Sequence, residues 1–185
     1  MRILAISGSL RRDSHNTRLL LAASAELPEG AELHLFEGLR DVPPYDEDDD
    51  REPSPEAVIR LREALADADA LLVATPEYNS SIPGQLKNAL DWASRPLATS
   101  PLRFLPVAVT GASAGAFGAV WAQAELRKVL AASGARVVEG DLALGHAQDR
   151  FDDDGMLIDE DLRDQLRTLL ADLVAQVSPA EVAAA

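Results

Sequence analysis

The sequence predicts an α/β protein built on a doubly wound parallel sheet, and three observations carry that expectation. Ile3 to Ser7 (ILAIS), Ala70 to Thr75 (ALLVAT) and Phe104 to Thr110 (FLPVAVT) are short and almost wholly apolar, the composition of strands buried on both faces. Each runs into a loop of small and polar residues and then a segment of helical periodicity, the alternation that right-handed crossovers produce. The 185 residues contain no internal repeat and no linker, which predicts one domain over 1–178 and a short frayed tail at 179–185.

Taken in order, the first strand leads into Gly8-Ser9-Leu10-Arg11-Arg12-Asp13-Ser14-His15-Asn16, with Ser14 as N-cap of a helix carrying Leu19, Leu20 and Ala23. Ala31 to Phe36 alternates Leu33 and Leu35 with Glu32 and His34, which predicts a strand with one solvated face, His34 being a bystander on it. Residues 37–53 form a long connection whose acidic run, Asp46 to Asp50, reads as a solvated loop. Ser54-Pro55-Glu56 opens the next helix with Ser54 as N-cap, and Val58, Leu61, Leu65 and Ala68 share one of its faces.

The second apolar run opens into Pro76-Glu77-Tyr78-Asn79-Ser80-Ser81-Ile82-Pro83-Gly84, followed by a helix from about Gln85 to Trp92. Leu86, Leu90 and Ala93 cover the sheet, while Trp92 falls off that stripe and is expected to meet a second subunit. The third apolar run ends in Gly111-Ala112-Ser113-Ala114-Gly115-Ala116-Phe117-Gly118, then a helix that Gly134 stops. A last strand is expected within Arg136 to Leu144 and a last helix from about Asp159 to Val177. Five strands favour the order 2-1-3-4-5, a flavodoxin-like doubly wound sheet with helices on both faces. In that order the Gly8 and Pro76 loops flank the topological switch point, and the Gly111 loop lies beside them.

Composition narrows the function. Thirty-one acidic residues against 17 basic ones give a net charge of −14, which argues against nucleic acid and anionic membranes as partners. With no cysteine there is no thiolate or iron–sulfur chemistry, so any redox reaction belongs to a bound cofactor. No apolar run is long enough to span a bilayer and no signal peptide is evident, so a cytoplasmic protein is expected. Asp152-Asp153-Asp154-Gly155 fails as a calcium loop, because aligning Gly155 with the loop's invariant glycine puts Arg150 at the first ligand position. No metal site is expected.

The three loops differ in chemistry. The first gathers hydroxyls, an Asn, two Arg and a helix start, an arrangement suited to a phosphate. It is neither G-x-x-x-x-G-K-S/T nor G-x-G-x-x-G. The second is bounded by prolines and presents backbone groups beside Tyr78 and Asn79; the third is small enough for a flat ring to lie against its backbone. Phosphate at one end and a polar-edged planar ring at the other describe flavin mononucleotide, FMN.

These residues carry a family resemblance. GSLRRDSHN (Gly8 to Asn16) matches G-S-L-R-x-x-S-x-N, and PEYNSSIPGQLKNALDW (Pro76 to Trp92) matches the second signature, of the NADPH-dependent FMN reductases, which include quinone, azo-dye and chromate reductases. The resemblance implies a phosphate held by Ser9, Arg11, Ser14 and Asn16, a ring bordered by Pro76, Glu77, Tyr78 and Asn79, and a further contact from Ser113. It also implies NADPH or NADH as hydride donor, a small-molecule electron acceptor, and a homodimer or homotetramer. Glu77 is not expected to be an acid–base catalyst, since hydride transfer to a flavin needs orientation and an open ring face more than a protein base. The alternative is a non-enzymatic flavodoxin-type electron carrier or a flavin-dependent partner module. The T-x-T-G-x-T loop typical of flavodoxins is absent.

Overall fold

The computed structural model describes residues 1–177, so the expected tail at 179–185 lies outside the described residues. Strands β1 (Arg2–Ser7), β2 (Glu32–Leu35), β3 (Ala70–Ala74), β4 (Pro106–Ala112), β5 (Arg136–Val137) and β6 (Ala143–Leu144) form one sheet. It runs in the order β2-β1-β3-β4-β5, all pairs parallel, with β6 also on β4. This is the 2-1-3-4-5 order that the strand count favours.

The last strand differs from expectation. Its span is divided into β5 and β6, both on β4, and between them the chain leaves the ladder at Gly140. The gap is stitched by side chains: Arg127 donates to the Gly140 carbonyl and Thr110 Oγ1 to the Leu142 carbonyl at 2.8 Å.

Among the described residues five α-helices cover the sheet: α1 (His15–Ala25), α2 (Glu56–Ala66), α3 (Gly84–Ala93), α4 (Val120–Ala132) and α5 (Glu160–Ala175). The central strands β3 and β4 are buried at every residue, as apolar composition on both faces requires. Two apolar clusters result, with Val58, Leu61, Leu86 and Leu126 in one, and Leu19, Leu20, Leu166 and Leu170 in the other. Ser14 caps α1 by accepting from the Thr17 amide at 3.2 Å, and Asp159 caps α5 through the amides of Asp161 and Leu162. Ser54 does not cap α2. Pro55 holds that position without a side-chain bond, and the Ser54 hydroxyl instead accepts from Arg62.

The far end of α1 is fixed by Glu26, whose carboxylate, 6% exposed, accepts from Arg163 at 2.8 Å and Arg167 at 2.6 Å on α5. Burial by itself raises the Glu26 pKa, but the two guanidinium hydrogen bonds outweigh it and hold the group below its ordinary value of 4.5.

Trp92 overturns the expectation of an interface role. It is fully buried, its Nε1 donates to the Pro43 carbonyl at 2.9 Å, and Tyr45 meets its ring edge-on at 4.9 Å. The 37–53 connection folds back over α3, held by Asn88 to Pro43, Gln85 to Leu39 and Val42, and Arg62 to both Asp50 and the Trp92 carbonyl. The aromatic ring therefore packs inside its own chain.

Trp92→Ala should lower the stability of the folded chain by about 3–5 kcal/mol, measured by urea denaturation, without altering its sedimentation mass. Glu26→Gln should destabilise at neutral pH. Because the folded pKa is depressed, the Glu26 contribution is complete above the ordinary glutamate value and fades as pH falls through the lower folded one, so the two proteins should converge in acid.

Candidate functional site

Parallel β1, β3 and β4 all deliver their following loops to the same sheet edge. Gly8 makes the approach possible: its amide donates to Ala74 at 2.8 Å, and a Cβ there would stand 2.9 Å from Leu86 and 3.3 Å from Pro76. Between the loops lies a cleft of about 140 Å³. Ser9, Arg11, Ser14 and Asn16 line one side, Pro76, Glu77 and Tyr78 a second, and Ser113 a third. Eight of the nine sequence-predicted residues are thus brought together. Asn79 is outside the lining, at the tip of the second loop.

The first loop is rich in unused donors. Among the described residues, the amides of Arg12, Asp13, Ser14, His15 and Asn16 donate to no protein acceptor. The Ser9 hydroxyl accepts from the Arg11 amide at 3.3 Å and the Ser14 hydroxyl from Thr17, which leaves both hydroxyl protons available. Arg11 and Arg12 are exposed. Asn16 is committed elsewhere: its Nδ2 donates to the Ala112 carbonyl and its Oδ1 accepts from the Ala112 amide, both at 2.9 Å and buried. That side chain ties the first loop to the third.

The second loop is a hairpin. Tyr78 and Ser81 exchange backbone hydrogen bonds of 3.0 and 3.1 Å, while Asn79 and Ser80 take φ of 54° and 59°, the two left-handed residues of a type I′ turn. Glu77 at its base is a helix cap in trans. The N-cap position of α4 is Ala119, which has no side-chain acceptor, and Glu77 Oε2 accepts from the amides of Trp121 and Ala122 at 3.0 Å each. A carboxylate held in this way is poorly placed for proton transfer in the cleft.

In the third loop Ser113 donates through its amide to Leu144 and through its hydroxyl to Gly115, so its backbone is fixed by β6. Sequence reasoning missed three cleft residues, His15, Ala112 and Ala114. His15 is the informative one. Its Nδ1 is buried without a hydrogen-bond partner, and burial, then Arg11, then Arg18 lower its pKa below the ordinary 6.5. An unpaired polar nitrogen, the Arg11 guanidinium and a row of free amides form a lining whose chemistry fits a phosphate.

A larger cavity, about 690 Å³, lies at the other end of the sheet among Arg2, Asp69, Arg103 and Phe104. It contains none of the residues singled out above. Among the described residues no helix is long and apolar enough to cross a membrane.

Fold and cleft together define a flavodoxin-like α/β protein with a loop of unused donors at the switch point of its sheet. Comparison with known proteins makes this specific. The description of the NADPH-dependent FMN reductase family matches residues 1–149, and the chain belongs to that family. It is 42% identical over 171 residues to NAD(P)H-dependent FMN reductase PA1204 of Pseudomonas aeruginosa, covering 92% of this chain and 91% of that protein. It is 39% identical over 178 residues to a 2-hydroxy-1,4-benzoquinone reductase of a Burkholderia species, covering 96% of each. The structure is similar to that of FerB, a flavoenzyme NAD(P)H:(acceptor) oxidoreductase of Paracoccus denitrificans, with a TM-score of 0.84, 34% identity, and coverage of 95% of this chain and 96% of that one.

Glu77→Ala should cost about 0.5–2 kcal/mol of stability through the lost cap of α4, and Glu77→Gln less, since an amide oxygen still accepts. Asn16→Ala should cost about 1–3 kcal/mol for each Ala112 group left unpaired. Denaturant titration of the apoprotein checks both.

Proposed function

We propose that the chain is an FMN-dependent oxidoreductase that takes hydride from NAD(P)H and passes electrons to a quinone, free flavin, azo compound or similar acceptor. The observation that carries this reading is the meeting of three loops at one sheet edge, the first with its amides and cations unused, in a chain of the FMN reductase family. When bound, FMN supplies the hydride and electron chemistry.

The protein's part is binding and orientation. Arg11, the Ser9 and Ser14 hydroxyls and the free amides from Arg12 to Asn16 hold the phosphate. The cleft is smaller than the roughly 300–1,000 Å³ that encloses a drug-sized ligand, so the ring lies over the loops with a face open to donor and acceptor. Pro76, Glu77 and Tyr78 border it, the rigid hairpin sets their height, and Ser113 and Ala114 form the floor. Asn79, at the turn, reaches the ring edge. Asn16 contributes its amide to the phosphate, and its side chain keeps the third loop in place. Glu77 acts through the position of α4 and moves no proton.

The chain works as a single domain over 1–178, in the cytoplasm, where reduced nicotinamides are supplied. It forms a homodimer or homotetramer. With Trp92 inside, the support for assembly is the family membership and the exposed Phe117 and Trp121, 65% and 49% accessible, in edge-to-face contact at 5.1 Å beside the second loop.

Purified protein reconstituted with FMN should oxidise NAD(P)H steadily in the presence of a quinone; a stable one-electron semiquinone without turnover would indicate a carrier. Arg11→Ala should weaken FMN binding by about 1.5–3 kcal/mol, roughly ten- to a hundredfold, and affect riboflavin far less. Glu77→Gln should change turnover only modestly at equal FMN occupancy. Sedimentation of the active protein should show a species larger than 19.8 kDa.

A further inference from the structure

We propose that His15 is a proton-coupled phosphate ligand, neutral in the free protein and protonated when the flavin nucleotide is bound, so that FMN and one proton bind together. The inference rests on the FMN-binding reading above and adds to it a residue and a linkage. It starts from geometry: His15 opens α1, lines the cleft with Ser9, Arg11 and Ser14, and has a buried Nδ1 that pairs with nothing among the described residues.

The charges around it determine its state. Arg11 from its own loop and Arg18 one turn along α1 both oppose a proton on the ring, and burial opposes it more strongly. Arg18 itself lies 4.7 Å over the ring of Phe151. Across the cleft, the one charged group in the lining is Glu77, whose Oε2 is turned to the α4 amides; the third loop lines it with Ala112, Ser113 and Ala114, all uncharged. In its own loop Asp13 is exposed. Neutral imidazole is therefore favoured at neutral pH, and it leaves an acceptor nitrogen in a site of donors.

A phosphate reverses that balance. Its two negative charges offset the opposition of Arg11 and Arg18, and its oxygens, which the free amides alone do not saturate, accept from a protonated ring. The proton comes from solvent and returns there on release. No bond of the nucleotide changes.

The test is calorimetric titration of the apoprotein with FMN and with riboflavin, near pH 7, in buffers of different protonation enthalpy, for the native chain and His15→Gln. The native chain should take up close to one proton with FMN more than His15→Gln does. The FMN affinity ratio of native to His15→Gln should rise about tenfold per pH unit as pH falls through 7, the slope that one linked proton gives. Riboflavin should show neither effect. Equal proton uptake and a flat ratio in His15→Gln, or the same His15-dependent slope with riboflavin, would overturn the proposal. Should His15→Gln fail to fold by circular dichroism, His15→Asn serves in the same comparison. Failure of the native chain to bind FMN or riboflavin would instead remove the FMN reading itself.

Discussion

Two hydrogen bonds, from one side-chain amide to one peptide unit, are what turn a sheet edge into a site. Asn16 and Ala112 are 96 residues apart, yet the carboxamide matches the Ala112 N–H and C=O at 2.9 Å each and is 3% exposed. Buried peptide groups at the end of a strand would be costly if unpaired. The start of α1 and the end of β4 are thereby locked in register, and the first and third loops line one cleft.

The remaining loop is tied in by the same kind of exchange. Glu77 satisfies orphan amides of α4 that no local residue satisfies, because Ala119 occupies the cap position in a left-handed conformation. The hairpin on which Glu77 stands is thus joined to the helix that follows the third loop. Ser113, through Leu144, joins that loop to β6. Each wall is braced by another, so little ordering remains to be done when a ligand arrives.

Much of this was legible in the chain itself. The apolar runs of β1, β3 and β4 and the acceptor at Ser14 are local signals, and they located the sheet, its order and the first loop. The long-range partners were not legible. Nothing in spacing couples Asn16 to Ala112 or Glu77 to Trp121, because parallel crossovers bring together loops that sequence separates by dozens of residues. Trp92 shows the same limit differently. Helical phase established that its ring leaves the sheet-facing stripe, but whether loop or subunit covers it depends on where the 37–53 connection folds. The signal present was Val42-Pro43-Pro44-Tyr45, a segment whose prolines expose carbonyls without donors of their own and so suit the Trp92 and Asn88 N–H groups. The split between β5 and β6 followed from Gly140 and the reach of Arg127, neither visible as a break in an otherwise strand-like run.

The arginines of the first loop are an island on a body of net charge −14, and the contrast bears on traffic to the site. At physiological ionic strength the island and the acidic body alike act over about 8 Å, so a nicotinamide dinucleotide, itself an anion, feels the charges nearest its path. A neutral quinone feels none of them. Added salt therefore acts on the encounter with the charged reductant and leaves that with a neutral oxidant unchanged, so the two halves of the cycle differ in their sensitivity to ionic strength.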